Sequence, residues 1–326
     1  MIVADHQWLP EKVRTFGMGH CPLVLGECVQ GQTPERRHFL ITSPIGLFSW
    51  AEFAPHAKDH LQVEPAVCWK ALAAVKTYLT QHNLPLRGHL RVSTPLGSGQ
   101  GFGTSTADIT ASLRAAAAAW NRAISPETIA MVATGIEPSD GSMYSGCVAF
   151  AHREGVLLEH LGTIPRFEAL VMCTGGIVDT LEFDKRRKDF RYSVKDEEQL
   201  MLAWRMVRQA NQTGDAALLA RAATISARIN EQLLPKPHFE EACEFVEAGG
   251  ADGIMVAHSG TAVALLFDPL SRERSRERIT NAKNFVASVQ PSAWFETSNG
   301  NVSQNISVKY PQRDRSSPAL ASLVSI

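Results

Sequence analysis

The sequence predicts an α+β fold, and two observations carry that expectation. Strand and helix patterns do not alternate strictly, as a doubly wound sheet would require. The second half reads strand, helices, hairpin, helix, strand, an order compatible with helices packed on one face of an antiparallel sheet. The chain has 326 residues, more than one simple core usually holds, so two domains are expected. The boundaries read as 1–164 and 165–298, with a tail over 299–326.

The elements follow in order. Val67, Leu72, Val75 and Leu79 recur near helical spacing, so Ala66 to His82 reads as an amphipathic helix ended by Asn83 and Pro85. His89 to Thr94 alternates as a strand, with Leu90 and Val92 on one face. Thr104 to Asn121 favours helix strongly. Ser125-Pro126-Glu127 opens the next helix, with a serine N-cap and proline at the first helical position. Cys147 to His152 and Val156 to His160 read as strands around a Glu154-Gly155 turn. Phe167 to Cys173 is a further strand. Lys185 to Arg191 is basic, but Asp184, Asp189 and Asp196 surround it, which makes it a solvated loop rather than a nucleic-acid patch. Glu197 to Asn211 and Asp215 to Glu231 form a helical pair broken at Gly214. Phe239 to Ala248 is a short helix stopped by Gly249-Gly250. Ile254 to Ala257 and Ala262 to Phe267 form a hairpin, Ser271 to Val289 a helix and Ala293 to Thr297 a last strand.

Charge narrows the function. Lys and Arg number 32 against 33 Asp and Glu, so no basic excess is present to neutralise a nucleic-acid backbone. No apolar run approaches the ~20 residues of a membrane span. The start, Met1 to His6, lacks the basic-then-apolar pattern of a secretion signal. Six cysteines lie scattered without a Cys-x-x-Cys pair, which points to reduced, mostly buried thiols and a cytoplasmic protein.

The most informative segment runs from Pro95 to Asp108. Glycine stands at 97, 99, 101 and 103, between a strand and a helix. Glycines allow positive φ and close backbone approach, so successive N–H groups can converge on one anion. The helix N-terminus behind them adds unpaired donors and partial positive charge. Hydroxyls of Thr104, Ser105 and Thr106 can reach phosphate oxygens or a magnesium ion. A P-loop is excluded because no lysine follows the glycines, and neither Gly97 nor Gly99 starts a dinucleotide fingerprint. A plain flexible loop is the alternative. Two more segments bear on the choice. Glu137 and Asp140 stand three apart in a turn-like run, a pairing that can hold a metal and orient a hydroxyl, or be an ordinary solvated turn. Ala257-His258-Ser259-Gly260-Thr261 is a small, hydroxyl-rich hairpin turn.

These motifs resemble those of the GHMP small-molecule kinases. The run Pro-x-Gly-x-Gly-x-Gly-x-Gly-Thr-Ser-Thr-Ala resembles that family's ATP-binding motif. Cys21-Pro22-Leu23-Val24-Leu25-Gly26-Glu27-Cys28-Val29-Gln30-Gly31 is similar to the N-terminal segment of its L-threonine kinase branch. Ser105 to Asp108, Ile136 to Asp140 and Ala257 to Thr261 resemble that branch's other motifs, in family order. The resemblance implies a ribosomal-protein-S5-type N-terminal domain, a ferredoxin-like C-terminal domain and an active site in the cleft between them. It implies ATP and Mg²⁺. In the threonine kinase branch the product is L-threonine O-3-phosphate, used for the cobalamin nucleotide loop.

It also implies roles. Pro95, Gly97, Gly99, Gly101, Gly103, Thr104 and Ser105 would bind the ATP phosphates. Ser105 or Thr106, with Glu137, would hold the metal. Asp140 would act as base or orient the acceptor hydroxyl. Glu27, Gln30, Ser259 and Gly260 would lie against the substrate. Cys21 and Cys28 read as buried small hydrophobes, and His258 as a turn hydrogen bonder. Leu23, Gln100, Phe102 and the Gly103-Thr104 pair depart from the branch pattern. These departures leave two alternatives: a kinase of another small alcohol such as homoserine, or a non-catalytic binder of the same fold. Expected partners are ATP and the small acceptor, without nucleic acid or membrane, with a homodimer compatible with the class.

Overall fold

The computed structural model describes residues 16–97, 99–173, 190–270, 272–289 and 294–298. The expected basic loop up to residue 189 and the tail from 299 lie outside the described residues. The first half opens on two long strands, β1 (Gly17–Gln32) and β2 (His38–Ala54), followed by β3 (Leu61–Glu64). A 3-10 turn at Ala66–Cys68 leads into α1 (Trp69–Gln81), and β4 (Gly88–Ser93) follows. Next come α2 (Thr104–Ala119), α3 (Pro126–Thr134), β5 (Cys147–Ala151) and β6 (Val156–Gly162). The second half holds β7 (Glu168–Cys173), α4 (Val194–Thr213), α5 (Ala216–Asn230), α6 (Phe239–Glu247), β8 (Gly253–Val256), β9 (Ala262–Phe267), α7 (Arg272–Val289) and β10 (Trp294–Ser298).

One sheet runs through the molecule in the order β10-β7-β9-β8-β1-β2-β4-β3, and β5 and β6 branch from β2. All pairs are antiparallel except β3 with β4. The two halves join where Glu27 of β1 pairs with Val256 of β8.

The expected elements are present, with two differences. The sequence did not mark β1, β2 or β3. β1 carries four glycines and a proline, and from Val24 to Gln32 every residue is buried, so the alternation of a half-exposed strand is missing. Pro22 sits at a register shift, where a missing N–H is tolerated. The second difference concerns the second half, expected with helices on one face. β8 and β9 are buried at every position. Met255, Ala264 and Leu266 face the core of α4 and α5, while Ile254, Val263, Leu265 and Phe267 face α6 and α7. Helices cover both faces because both faces are apolar.

The centre of the first half is α2, which is buried along most of its circumference. Its alanines present little bulk, and β1 answers with glycine. A methyl added at Gly19 would lie 2.1 Å from the Ala111 carbonyl oxygen and 2.6 Å from the Ala115 nitrogen. The two backbones therefore pack in near-direct contact. Arg114 on the same helix donates to the carbonyls of His20 (2.7 Å) and Met143 (2.8 Å), tying β1 to the turn beyond α3. Gly19→Ala should destabilise the chain by about 1–3 kcal/mol through overpacking. A lowered urea midpoint with an unchanged slope would show it, and an unmoved midpoint would refute the contact.

Candidate active site

The glycine-rich loop leaves β4 and enters α2 against two supports. Phe102 is buried, and its carbonyl accepts the Val24 N–H at 3.0 Å, fixing the loop to β1. The Gln100 carbonyl accepts the Ala262 N–H at 3.2 Å, fixing it to the β8–β9 hairpin. Gly99, Gly101 and Gly103 adopt φ of 80°, 97° and 61°. A methyl at Gly101 would lie 2.1 Å from Ala257 Cβ, and one at Gly103 would lie 2.5 Å from Asp140 Oδ2. Gly103 is the N-cap of α2, with no side chain capping the helix. The first-turn N–H groups therefore open onto a cleft beside a positive-φ loop, which suits a polyanion.

That cleft is lined by residues from both halves. They include Gly99, Gly101, Gly103, Thr104, Ser105, Thr106, Glu27, Glu137, Asp140 and Ser259 of the expected set. Pro95, Gly97, Gln30 and Gly260 are not in the lining. Gly97 is exposed, with open space around it. Gly260 serves the loop instead: a methyl there would lie 2.3 Å from the Gln100 carbonyl oxygen, so it packs on backbone rather than facing the cleft. Gln30 lies just beneath, its Oε1 at 2.5 Å from His258 Nδ1.

The carboxylates divide the labour. Glu137 follows α3, and its Oε1 accepts the Ser105 hydroxyl, while its Oε2 meets Lys70 Nζ at 2.6 Å. Asp140 is buried, and its Oδ1 accepts the Ser142 N–H at 2.9 Å. The Asp140 N–H donates to Thr106 Oγ1 at 3.3 Å, so Thr106 is committed to the Asp140 turn and Ser105 is the hydroxyl that joins Glu137. Cys21 braces the same turn through its contacts with Ser142. Burial pushes the Cys21 thiol up to about 12, so it is a packing residue rather than a nucleophile. Cys28 is likewise buried, its thiol raised by burial.

Burial also raises the Asp140 carboxyl above its ordinary range, against hydrogen bonds from Ser142 and Thr106 and with the Glu137 charge adding. Glu27 is raised well above its ordinary range by burial and then by the Asp140 charge, with Thr42 opposing. Its Oε2 is buried without a hydrogen-bond partner among the described residues, as is Gln30 Nε2. The β1 register explains why these two lie together. Glu27 pairs with Thr42 and Gln30 with Leu40, so a bulge between them puts residues three apart on one face.

Glu137 and Ser105 offer hard oxygen donors in contact with each other. Among the described residues no group of three His, Cys, Asp or Glu could hold a metal alone. The pair suits Mg²⁺, which takes one or two protein ligands and completes its shell with water and substrate phosphates. Lys70, Trp69, Cys68, Asp108 and His152 also line the cleft, and sequence reasoning assigned none of them a role. Asp108 accepts from Ser49 (2.6 Å) and Thr94 and pins α2 to β2 and to the residue that follows β4. Lys70 sits on an amphipathic helix whose sequence gives no sign that its first turn faces a site.

A family model described as the GHMP kinases N terminal domain matches residues 67–153, and the GHMP kinases C terminal model matches residues 207–285. Together they cover just over half of the chain. An L-threonine kinase of Salmonella typhimurium is 27% identical over 272 residues, 83% of this chain and 87% of that protein. One of Citrobacter freundii is 26% identical over 257 residues, 78% and 87% respectively. Among solved structures, L. major mevalonate kinase in complex with R-mevalonate superposes with a TM-score of 0.63 at 17% identity, covering 90% of this chain and 98% of that one. Homoserine kinase from Cytophaga hutchinsonii gives 0.64 at 11% identity, covering 92% and 98%. At such identities the structures speak to fold alone.

Glu27 yields a pH prediction. Its folded pKa lies above the unfolded value, so the folded chain keeps a proton that the unfolded chain has released. Stability should therefore fall as pH rises from the ordinary glutamate range through the raised value. Glu27→Gln should flatten that dependence and raise the melting temperature at neutral pH by about 2–4 °C per kcal/mol recovered. Thermal melts across pH read both, and a lower neutral-pH melting temperature for the variant would contradict the assignment.

Proposed function

The chain belongs to the GHMP kinases, and from that premise we propose that it transfers the γ-phosphoryl group of ATP to the side-chain hydroxyl of a small amino acid, L-threonine first. The observation that carries this reading is the buried Asp140 carboxylate. It stands between the anion-binding loop at Gly103 and the Glu27 carboxylate, all on one cleft. An acceptor hydroxyl beside Asp140 would lie next to the end of a polyphosphate held by the loop.

Each residue has a task in this reading. The N–H groups of Gly99, Gly101, Gly103 and Thr104 hold the phosphates. Ser105 and Glu137 hold Mg²⁺, which when bound neutralises charge on the transferring phosphoryl group. Asp140 accepts the hydrogen bond of the acceptor hydroxyl and takes its proton as the new oxygen–phosphorus bond forms and the bond from the γ-phosphorus to the departing ADP oxygen breaks. Phosphoryl transfer rests mainly on such positioning and charge stabilisation. Thr106 and Cys21 keep the Asp140 turn in place.

The amino-acid reading has its own support. Glu27 Oε2 and Gln30 Nε2 are a buried acceptor and a buried donor, both without partners among the described residues, on one face of β1. A zwitterion's ammonium answers Glu27, which lines the cleft, while Gln30 backs the lining through His258. A neutral alcohol would leave the Glu27 oxygen unsatisfied, a cost of about 1–3 kcal/mol or more for a buried group. The L-threonine kinases at 26–27% identity point the same way.

The purified chain, given Mg-ATP, should release ADP with L-threonine and yield phosphothreonine by mass, with L-serine, L-homoserine and no acceptor as parallel samples. Release confined to another acceptor would overturn the threonine reading and keep the kinase. Asp140→Asn should lower turnover by about 10²-fold or more while ATP binding persists, as for loss of a general base. Normal turnover in that variant would remove Asp140 from its role.

A further inference from the structure

Lys70 stands in the first turn of α1 and lines the cleft, and its ammonium lies 2.6 Å from Glu137 Oε2. The two side chains differ in freedom. That of Glu137 is 2% exposed and is held on its other oxygen by Ser105, whereas that of Lys70 is 27% exposed on a flexible stem. The glycine loop and the first turn of α2 line the same cleft. Resting on the kinase reading above, we propose that Lys70 is a phosphate-binding residue that exchanges partners: it holds Glu137 before ligands arrive and passes to the nucleotide phosphates when a divalent cation takes Glu137.

Charge balance forces the exchange. A buried carboxylate needs a counter-charge, and leaving one unpaired is strongly unfavourable. Lys70 supplies it first. A divalent cation bound by Ser105 and the Glu137 Oε1 that it meets would supply it later, and an ammonium on Oε2 of the same carboxylate would then face a second positive charge across that one carboxylate. The displaced ammonium then has a polyphosphate as its nearest new anion. Nucleotide alone, without metal, could draw Lys70 away only by abandoning Glu137 beside further negative charge. Metal and nucleotide thus favour each other's binding through this one side chain, and by linkage the effect is reciprocal.

A purely structural ion pair makes a different forecast. Lys70→Met would then loosen Glu137 and weaken every ligand together. Exchange predicts opposite signs. Mn²⁺ alone, measured by electron paramagnetic resonance, should bind Lys70→Met on the order of tenfold more tightly, because its competitor for Glu137 is gone. Mg-ATP, measured by calorimetry without acceptor, should bind the same variant on the order of tenfold more weakly. Lys70→Arg keeps the charge and should recover most of the Mg-ATP affinity. Shifts of the same sign, or none, in a chain whose wild type binds Mg-ATP would overturn the exchange and leave the kinase reading standing. A wild type that binds no Mg-ATP would overturn both.

Discussion

The site depends on three close approaches that a glycine makes possible. Gly101 lies against Ala257, Gly260 lies against the Gln100 carbonyl, and Gly103 lies against the Asp140 carboxylate. Each contact would be blocked by a single methyl. The loop, the β8–β9 hairpin and the turn after α3 come from distant parts of the chain, so the cleft exists only when all three are docked. Gly19 against Ala111 repeats the same solution one layer deeper, where β1 presses on the helix that the loop opens. The glycines are thus as much a packing device as a phosphate device.

Electrostatics then sets what the cleft accepts. Three buried carboxylates, Glu27, Glu137 and Asp140, line it. Glu137 has a lysine and a serine. Asp140 has backbone and hydroxyl donors, and among the described residues Glu27 has the Thr42 side chain. Holding these groups together raises Glu27 and Asp140 and works against folding at neutral pH. Such strain persists at functional sites because ligands relieve it. In the proposed reading, the cleft takes positive charge at one end, where Glu27 lies, and a metal with its phosphates at the other.

Much of this was legible in the sequence, for reasons that differ by element. The glycine run, the capped α3 and the β8–β9 hairpin announced themselves through local chemistry: φ requirements, an N-cap hydroxyl, apolar strands about a small turn. β1 and the start of β2 did not, because strands buried on both faces lose their period and β1 spends Gly17 and Gly19 on contact with α2; the rest of β2 does alternate, with Ile45, Leu47, Ser49, Ala51 and Phe53 buried, and that signal was missed. Glu27 and Gln30 were nameable from the motif they share, but not their common face, since a one-residue bulge decides it. The choice between Ser105 and Thr106 also needed the fold: adjacent helical positions point apart, and only packing shows which hydroxyl meets Glu137. Lys70 had no signal at all.

The departures from the threonine kinase pattern can now be weighed by where they fall. Leu23 is fully buried in the main core, and Phe102 is buried with its carbonyl on Val24. Gln100 meets the hairpin through its carbonyl, a contact indifferent to side chain. Gly103 is required by the Asp140 oxygen beside it. These positions shape how the loop is seated, and a change in one core residue is answered by its neighbours. None of them supplies the polar atoms that face the Glu27 end of the cleft. In the proposed reading, discrimination among acceptors belongs instead to Glu27, with the Gln30–His258 pair behind it. A buried polar group left unpaired rejects a wrong ligand more strongly than a misfitting methyl does. Variation at the loop is therefore no argument for a different alcohol, whereas loss of Glu27 or Gln30 would be.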